Sequence, residues 1–240
     1  MDLGIAGRVA LVTAASKGLG RASAAALAAE GAKVAICARG AEALAEAEAE
    51  LGRLTEVLAV QADVTDPSVP AEMVRATVER FGRLDIVVAN AGGPPGGRAL
   101  EVDDAQIEAA VNANLLTSVR LVREALPHLR QQGWGRICLI TSSSVKQPIP
   151  TLALSNTART GLWAWAKTAA ADLFDEGITV NLACPGLHDT DRMKQITTLE
   201  GPRGDPADFG RVVAFLCSEP AAFVNGTAVL VDGGRFTGLF

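Results

Sequence analysis

A short apolar strand that breaks into a glycine-spaced turn and resumes as a helix leaves a chain few folds to choose from. Here residues 9–12 are apolar, Thr13-Ala-Ala-Ser-Lys-Gly-Leu-Gly20 follows, and an alanine-rich helical stretch runs on through Glu30. Glycines at 18 and 20 let backbone amides come close to a bound group, and the helix start aims unpaired N–H groups at it. Such a turn is either a phosphate cradle or an ordinary tight connection, and only its context separates the two.

That context is a regular alternation. Residues 33–38 read as a second apolar strand closed by Arg39-Gly40, and residues 41–51 as a helix whose Glu42, Glu46 and Glu50 form a solvated face. Residues 56–62 form a third strand ending at Asp63-Val64, followed by an amphipathic helix through Phe81. Residues 84–90 are almost continuously apolar, as a strand covered on both faces should be, and run into the Gly/Pro-rich segment 91–97. A long helix over 103–132, strands over 136–141, 178–184 and 227–231, and helices from near Leu154 and over 206–218 complete the order. Strands alternating with helices at this spacing predict an α/β fold: a single doubly wound parallel sheet of about seven strands, with ligands at the carboxyl ends. No linker or repeat interrupts it, so residues 1–240 are expected to form one Rossmann-like nucleotide-binding domain.

Composition narrows the partners. The net charge of -5 gives no global attraction to nucleic acid, so any bound anion must be held by local groups. No run of 18 apolar residues and no basic-then-apolar start occurs, which predicts a cytoplasmic protein with no membrane span. Cys37, Cys138, Cys184 and Cys217 are scattered, without a Cys-x-x-Cys pair or a Cys/His cluster, which predicts buried thiols and no metal site. Tyrosine is absent altogether.

In a nucleotide-binding βαβ unit the end of the second strand faces the adenosine ribose, where a carboxylate suits a 2′-hydroxyl and an arginine a 2′-phosphate. Arg39 stands there with no acid beside it in that strand, and Lys17 in the glycine loop offers a second cation. The pair favours NADP(H) over NAD(H).

From about residue 5 to 236 the chain resembles the short-chain dehydrogenase/reductase family, most nearly its 3-oxoacyl-acyl-carrier-protein reductases. Thr13 to Gly20 is similar to the family's Thr-Gly-x-x-x-Gly-x-Gly loop, which implies cofactor contacts from Thr13, Ala15, Ser16, Lys17, Gly18, Leu19 and Gly20. Asp63 and Val64 fall where the family contacts adenine, and Asn90-Ala91-Gly92 resembles the motif beside the cofactor. Pro185-Gly186 and Thr190 match the loop that grips the nicotinamide amide, and Asp232-Gly-Gly234 the usual ending. Ala14 departs from the loop pattern, where glycine is usual; the expectation is that it keeps negative φ and its methyl is tolerated. Residues 191–205 are expected to form a short substrate lid, and the helices over 103–132 and from Leu154 the seam of a homodimer or homotetramer. Trp163 and Trp165, two apart, cannot share a helix face; one is expected on the sheet and the other on a second subunit.

The resemblance implies hydride transfer between nicotinamide and a small carbonyl or alcohol substrate, with a tyrosine as proton donor, a lysine four residues later and a serine thirteen before. Counting from Ser142 puts Ser155 at the tyrosine position and Arg159 at the lysine position. An asparagine in the long helix, Asn114 rather than Asn112, would hold a proton-relaying water. A serine hydroxyl is a far poorer acid than a phenol, and arginine does not deprotonate in proteins. General acid catalysis is worth about 10²- to 10⁴-fold, so its loss leaves orientation and electrostatic stabilisation to work with. The candidate catalytic set is therefore Ser142, Arg159, Asn114 and Ser155, with Arg159 also placed to hold the nicotinamide ribose and His188 as a variant proton source. The alternative is an NADPH-binding pseudoenzyme that senses the cofactor or pairs with an active relative.

Overall fold

The computed structural model describes residues 1–196 and 201–239. Seven parallel strands lie in one sheet in the order β3-β2-β1-β4-β5-β6-β7. They are β1 (Val9–Val12), β2 (Lys33–Ala38), β3 (Val57–Gln61), β4 (Ile86–Ala89), β5 (Gly135–Ile140), β6 (Ile178–Pro185) and β7 (Ala228–Val231). The order reverses between β1 and β4, whose carboxyl ends therefore open a crevice, since their crossovers leave to opposite sides.

Each strand serves two cores, which is why its sequence is apolar at successive positions rather than alternate ones. In β1, Val9 and Leu11 pack on one face while Ala10 and Val12 pack on the other. The first face is covered by α3 (Val69–Phe81), α5 (Thr117–Gln132) and α6 (Ala153–Leu173), which contribute Met73, Val122 and Leu162 among others. The second is covered by α1 (Gly18–Ala29), α2 (Ala41–Leu51) and α8 (Pro206–Leu216), with Leu27, Leu44 and Phe209 at its centre. Trp163 and Trp165 are both half-buried and both reach the first core.

The long helix foreseen over 103–132 is continuous but not uniform. Asp103 caps α4 (Asp104–Val111) by accepting the Gln106 N–H at 2.8 Å, while Gln106 Oε1 accepts the Asp103 N–H at 3.0 Å. Residues Asn112–Leu116 then form a π-helical turn before α5, and the extra residue bulges the helix where Asn114 sits. Of the expected lid, α7 (Asp191–Ile196) forms its first part, and residues 197–200 lie outside the described residues. All four cysteines are buried and free. Among the described residues no helix is long and apolar enough to cross a membrane, and no three His, Cys, Asp or Glu side chains converge as metal ligands.

Candidate active site

The floor of the crevice is built by stapling the ends of β1 and β4. Thr13 Oγ1 donates to the Asn90 carbonyl at 2.7 Å and accepts the Asn90 N–H at 2.9 Å, while Asn90 Nδ2 donates to the Ala14 carbonyl at 3.1 Å. The Ala15 N–H reaches across to the Cys37 carbonyl at 3.0 Å, fixing the loop against β2 as well. Held at both sides, Ala14 adopts φ +47°. This corrects the expectation of negative φ: the staple imposes the left-handed conformation, and the alanine bears the strain.

Gly20 is required for close approach. A methyl there would lie 2.6 Å from the Ala14 carbonyl oxygen and 2.5 Å from Asn90 Nδ2. Gly18, at φ +57°, turns the chain into α1, whose start has no side-chain cap and no acid in its first turn. The first N–H groups are thus left to face the crevice, the geometry and polarity that a phosphate needs. Thr13, Ala15 and Gly20 are buried beneath this surface, Ser16 is half-buried, and Lys17, Gly18 and Leu19 line the cavity itself.

Arg39 and Asp63 lie at the neighbouring strand ends, outside the main cavity wall. Asp63 Oδ1 accepts the Thr65 N–H at 3.0 Å and the Thr65 hydroxyl at 2.8 Å, and the Thr65 amide chiefly holds its carboxyl below the usual range, with Arg39 adding to it. Arg39 comes only to 3.8 Å of the other oxygen, and its side chain is 76% exposed, so it remains available to a ligand. Val64 is buried, and its carbonyl accepts from Thr117 Oγ1 at 3.1 Å.

The principal cavity, ≈ 740 Å³, runs from the glycine loop across Asn90, Ala91 and Gly92 to Ser142, Ser155 and Arg159. Pro185, Gly186 and Thr190 form its opposite lip. Ser142 follows β5 in extended backbone, and its Oγ accepts the Ser144 N–H at 3.1 Å, which leaves the hydroxyl proton free for another acceptor. Ser155 and Arg159 are one turn apart on α6 and so share a face, Ser155 being 7% exposed.

Asn112 and Asn114 separate cleanly in the structure. The Asn112 amide is spent on the Thr65 carbonyl at 2.9 Å and on Arg120 Nη1 at 2.7 Å. Asn114 instead turns inward, 3% exposed, and its Oδ1 accepts from Arg159 Nε at 3.3 Å and Nη2 at 3.2 Å. Its Nδ2 is buried with no hydrogen-bond partner among the described residues. Arg159 Nη1 also donates to the Thr141 carbonyl. The guanidinium thus contacts the asparagine directly, where the family resemblance implies a lysine working through water. Burial first, and then the charge of Arg192, push Arg159 down to about 10, which still leaves it cationic near neutrality.

His188 lines the cavity but is held firmly in place. Its ring is 3% exposed, meets Phe209 edge-on at 5.2 Å, and has Nδ1 3.3 Å from the Gly186 carbonyl. A methyl on Gly204 would come within 2.8 Å of it. Arg192 on α7 has no place in the candidate set drawn from the sequence, yet it reaches into the cavity and donates to the carbonyls of Gly93, at 3.4 Å, and Pro94, at 3.0 Å. A cation directly after the Thr190 loop was the only signal available for it.

The family model for short chain dehydrogenases matches residues 8–201 of this chain. Versicolorin reductase 1 of Aspergillus parasiticus is 33% identical, the match covering 96% of this chain and 97% of that protein. A 3-oxoacyl-[acyl-carrier-protein] reductase of Synechocystis is also 33% identical, over 95% of this chain and 96% of that one. Among solved structures, L-sorbose reductase from Gluconobacter frateurii, in complex with NADPH and L-sorbose, superposes with a TM-score of 0.93 at 31% identity, covering both chains completely.

Proposed function

Because the chain belongs to the short-chain dehydrogenase family, we propose that it is an NADP(H)-dependent oxidoreductase acting on a carbonyl or alcohol substrate through an atypical site. The observation that carries this reading is the shared cavity: an uncapped helix start and glycine cradle at one end, and Ser142, Ser155 and Arg159 at the other. The cradle fits a dinucleotide pyrophosphate, because Lys17, Gly18 and Leu19 at the uncapped start of α1 line the cavity and the first turn carries no acid. NADP(H), when bound, supplies or accepts the hydride. Preference for the 2′-phosphate is supported by the exposed Arg39 and Lys17, and by the NADPH held in the sorbose reductase.

Within the site, the Ser142 hydroxyl donates a hydrogen bond to the carbonyl oxygen and orients it. Arg159 stabilises negative charge on that oxygen with the N–H groups that Thr141 and Asn114 leave free. It cannot serve as the acid. The proton comes from water held between Ser155 and the free Asn114 Nδ2. The likeness to the Synechocystis enzyme makes a 3-oxoacyl thioester one candidate substrate. The same reading treats residues 1–240 as one domain of a cytoplasmic homodimer or homotetramer, supported by the partly exposed α5 and α6 faces and by four free thiols.

The test is a calorimetric titration with NADPH followed by NADPH consumption across a panel of ketones, aldehydes and a short 3-oxoacyl thioester. Saturable binding with turnover of at least one carbonyl is expected. No binding at millimolar cofactor removes the proposal, and tight binding with no turnover on any carbonyl would replace it with the pseudoenzyme.

A further inference from the structure

The cavity is cationic where it meets the reacting centre, in a protein whose net charge is -5. A methyl built on Gly93 would lie 3.7 Å from Arg192 Nη2 and 3.8 Å from Arg159 Nη2, so two guanidinium heads face the same small space. Three of the five Arg159 donors are occupied by Thr141 and Asn114, which leaves two. Among the described residues Arg192 donates only through Nη2, to Gly93 and Pro94, so no described residue takes its Nε and Nη1 donors. The charge of Arg192 bears on Arg159, and like charges facing one space repel until an anion enters between them.

Among the described residues neither acid lining the cavity supplies that anion. Asp232 has its two oxygens on the Gly234 N–H at 3.0 Å and the Phe236 N–H at 2.8 Å. Asp191 is exposed and precedes Arg192 by one residue, a spacing that puts the two on different sides of α7. Beyond the arginines the wall turns apolar, with Ile149, Leu152, Met193 and Phe236.

We propose that Arg159 and Arg192 form a carboxylate clamp, and that the substrate is an oxo acid whose carboxylate sits before Gly93 with its apolar tail along Ile149, Leu152 and Phe236. Two planar forks match the bidentate geometry of a carboxylate, and Gly93 keeps the room it needs. The clamp rests on the oxidoreductase reading and narrows it, because a thioester has no charge at its reacting end. In the reaction the keto carbon gains the hydride of NADPH, its oxygen keeps the C=O electron pair and takes a proton that the site water replaces from bulk solvent, and oxo acid, NADPH and H⁺ give hydroxy acid and NADP⁺.

Binding and turnover test it separately. With saturating NADPH, calorimetry should show 4-phenylbutyrate binding about tenfold or more tightly than neutral 4-phenylbutanamide, since charged hydrogen bonds of this kind carry at least that factor. The difference should vanish in Arg192→Gln, which alters an exposed residue, and in Gly93→Ala, whose methyl fills the clamp. Arg192→Lys should recover part of it. Equal binding of acid and amide, no binding of either, or acid that binds only by displacing NADPH overturns the clamp; displacement would assign the arginines to the cofactor's phosphates. In turnover, 4-phenyl-2-oxobutyrate should outpace its methyl ester. Ester reduced as fast as acid sinks the clamp and keeps the oxidoreductase, whereas arginine-dependent acid binding with no reduction of any carbonyl keeps the clamp and sinks the oxidoreductase.

Discussion

Replacing Ala14 by glycine should stabilise this protein, although it removes a side chain and adds chain entropy. The residue is held at φ +47° by bonds on either side of it, from Asn90 Nδ2 to its carbonyl and from the Ala15 N–H to Cys37. A left-handed conformation costs an L-residue about 1–2 kcal/mol, through Cβ against the following carbonyl. Glycine escapes that cost but makes the unfolded chain more flexible, which returns about 0.4–1 kcal/mol. The Ala14 methyl is half-buried at the cavity edge, so little packing is lost with it. The net gain is about 0.5–1 kcal/mol, equivalent to a rise in Tm of about 1–4 °C for a chain of this size. Ala14→Val should move the other way, because a β-branched side chain at positive φ is more strained still. Thermal melts of both variants, with and without NADPH, make the comparison. A glycine variant that melts lower than the parent, or a valine variant that melts with it, would mean that this residue carries no strain and that the staple does not impose the backbone.

Four other perturbations probe the site. Arg159→Ala should lower turnover by about 10²- to 10³-fold, the cost of losing an oxyanion donor, and far more than His188→Ala; the reverse order in steady-state rates removes Arg159 from the chemistry. Ser155→Tyr combined with Arg159→Lys should raise carbonyl reduction, and an unchanged rate in a folded double variant would show that the site no longer has the family's geometry. Arg39→Asp should shift the ratio of NADPH to NADH affinity toward NADH by about tenfold, and an unchanged ratio in titration excludes Arg39 from the 2′-phosphate. Burial holds His188 below its ordinary 6.5, so the unfolded chain takes up its proton first and stability declines as pH falls from about 6.5 toward the folded value. His188→Phe should flatten that decline in melts taken across this range; an equally steep decline in the variant places the titrating group elsewhere.

Much of the site was legible in the sequence because the resemblance carried positions in order along the chain. Ser142, Ser155 and Arg159 do come to one cavity, and the glycine loop does open α1. What was not legible involves partners far apart in the chain. Alanine is compatible with either sign of φ in isolation, and the sign at Ala14 was decided by Asn90, on a different strand. Asn114 was already preferred to Asn112 on the resemblance, and what the structure adds is that Thr65 and Arg120 occupy the Asn112 amide. Arg192 lies 99 residues from the Gly93 carbonyl it bonds, beyond the reach of any local pattern.

The sequence by itself determined the order of strands and helices and the parallel, doubly covered sheet, because burial on both faces shows in β1 and β4 as unbroken apolar runs and in the alternation of strands with helices along the chain. It also determined that no phenol can act in the chemistry, since the chain has none. Only the tertiary structure decided the backbone at Ala14, the direct bond between Arg159 and Asn114, and the meeting of two arginines before Gly93. Each is set by where β1, β4, α6 and α7 come together, and the free energy of such a contact belongs to the packing rather than to any segment taken alone.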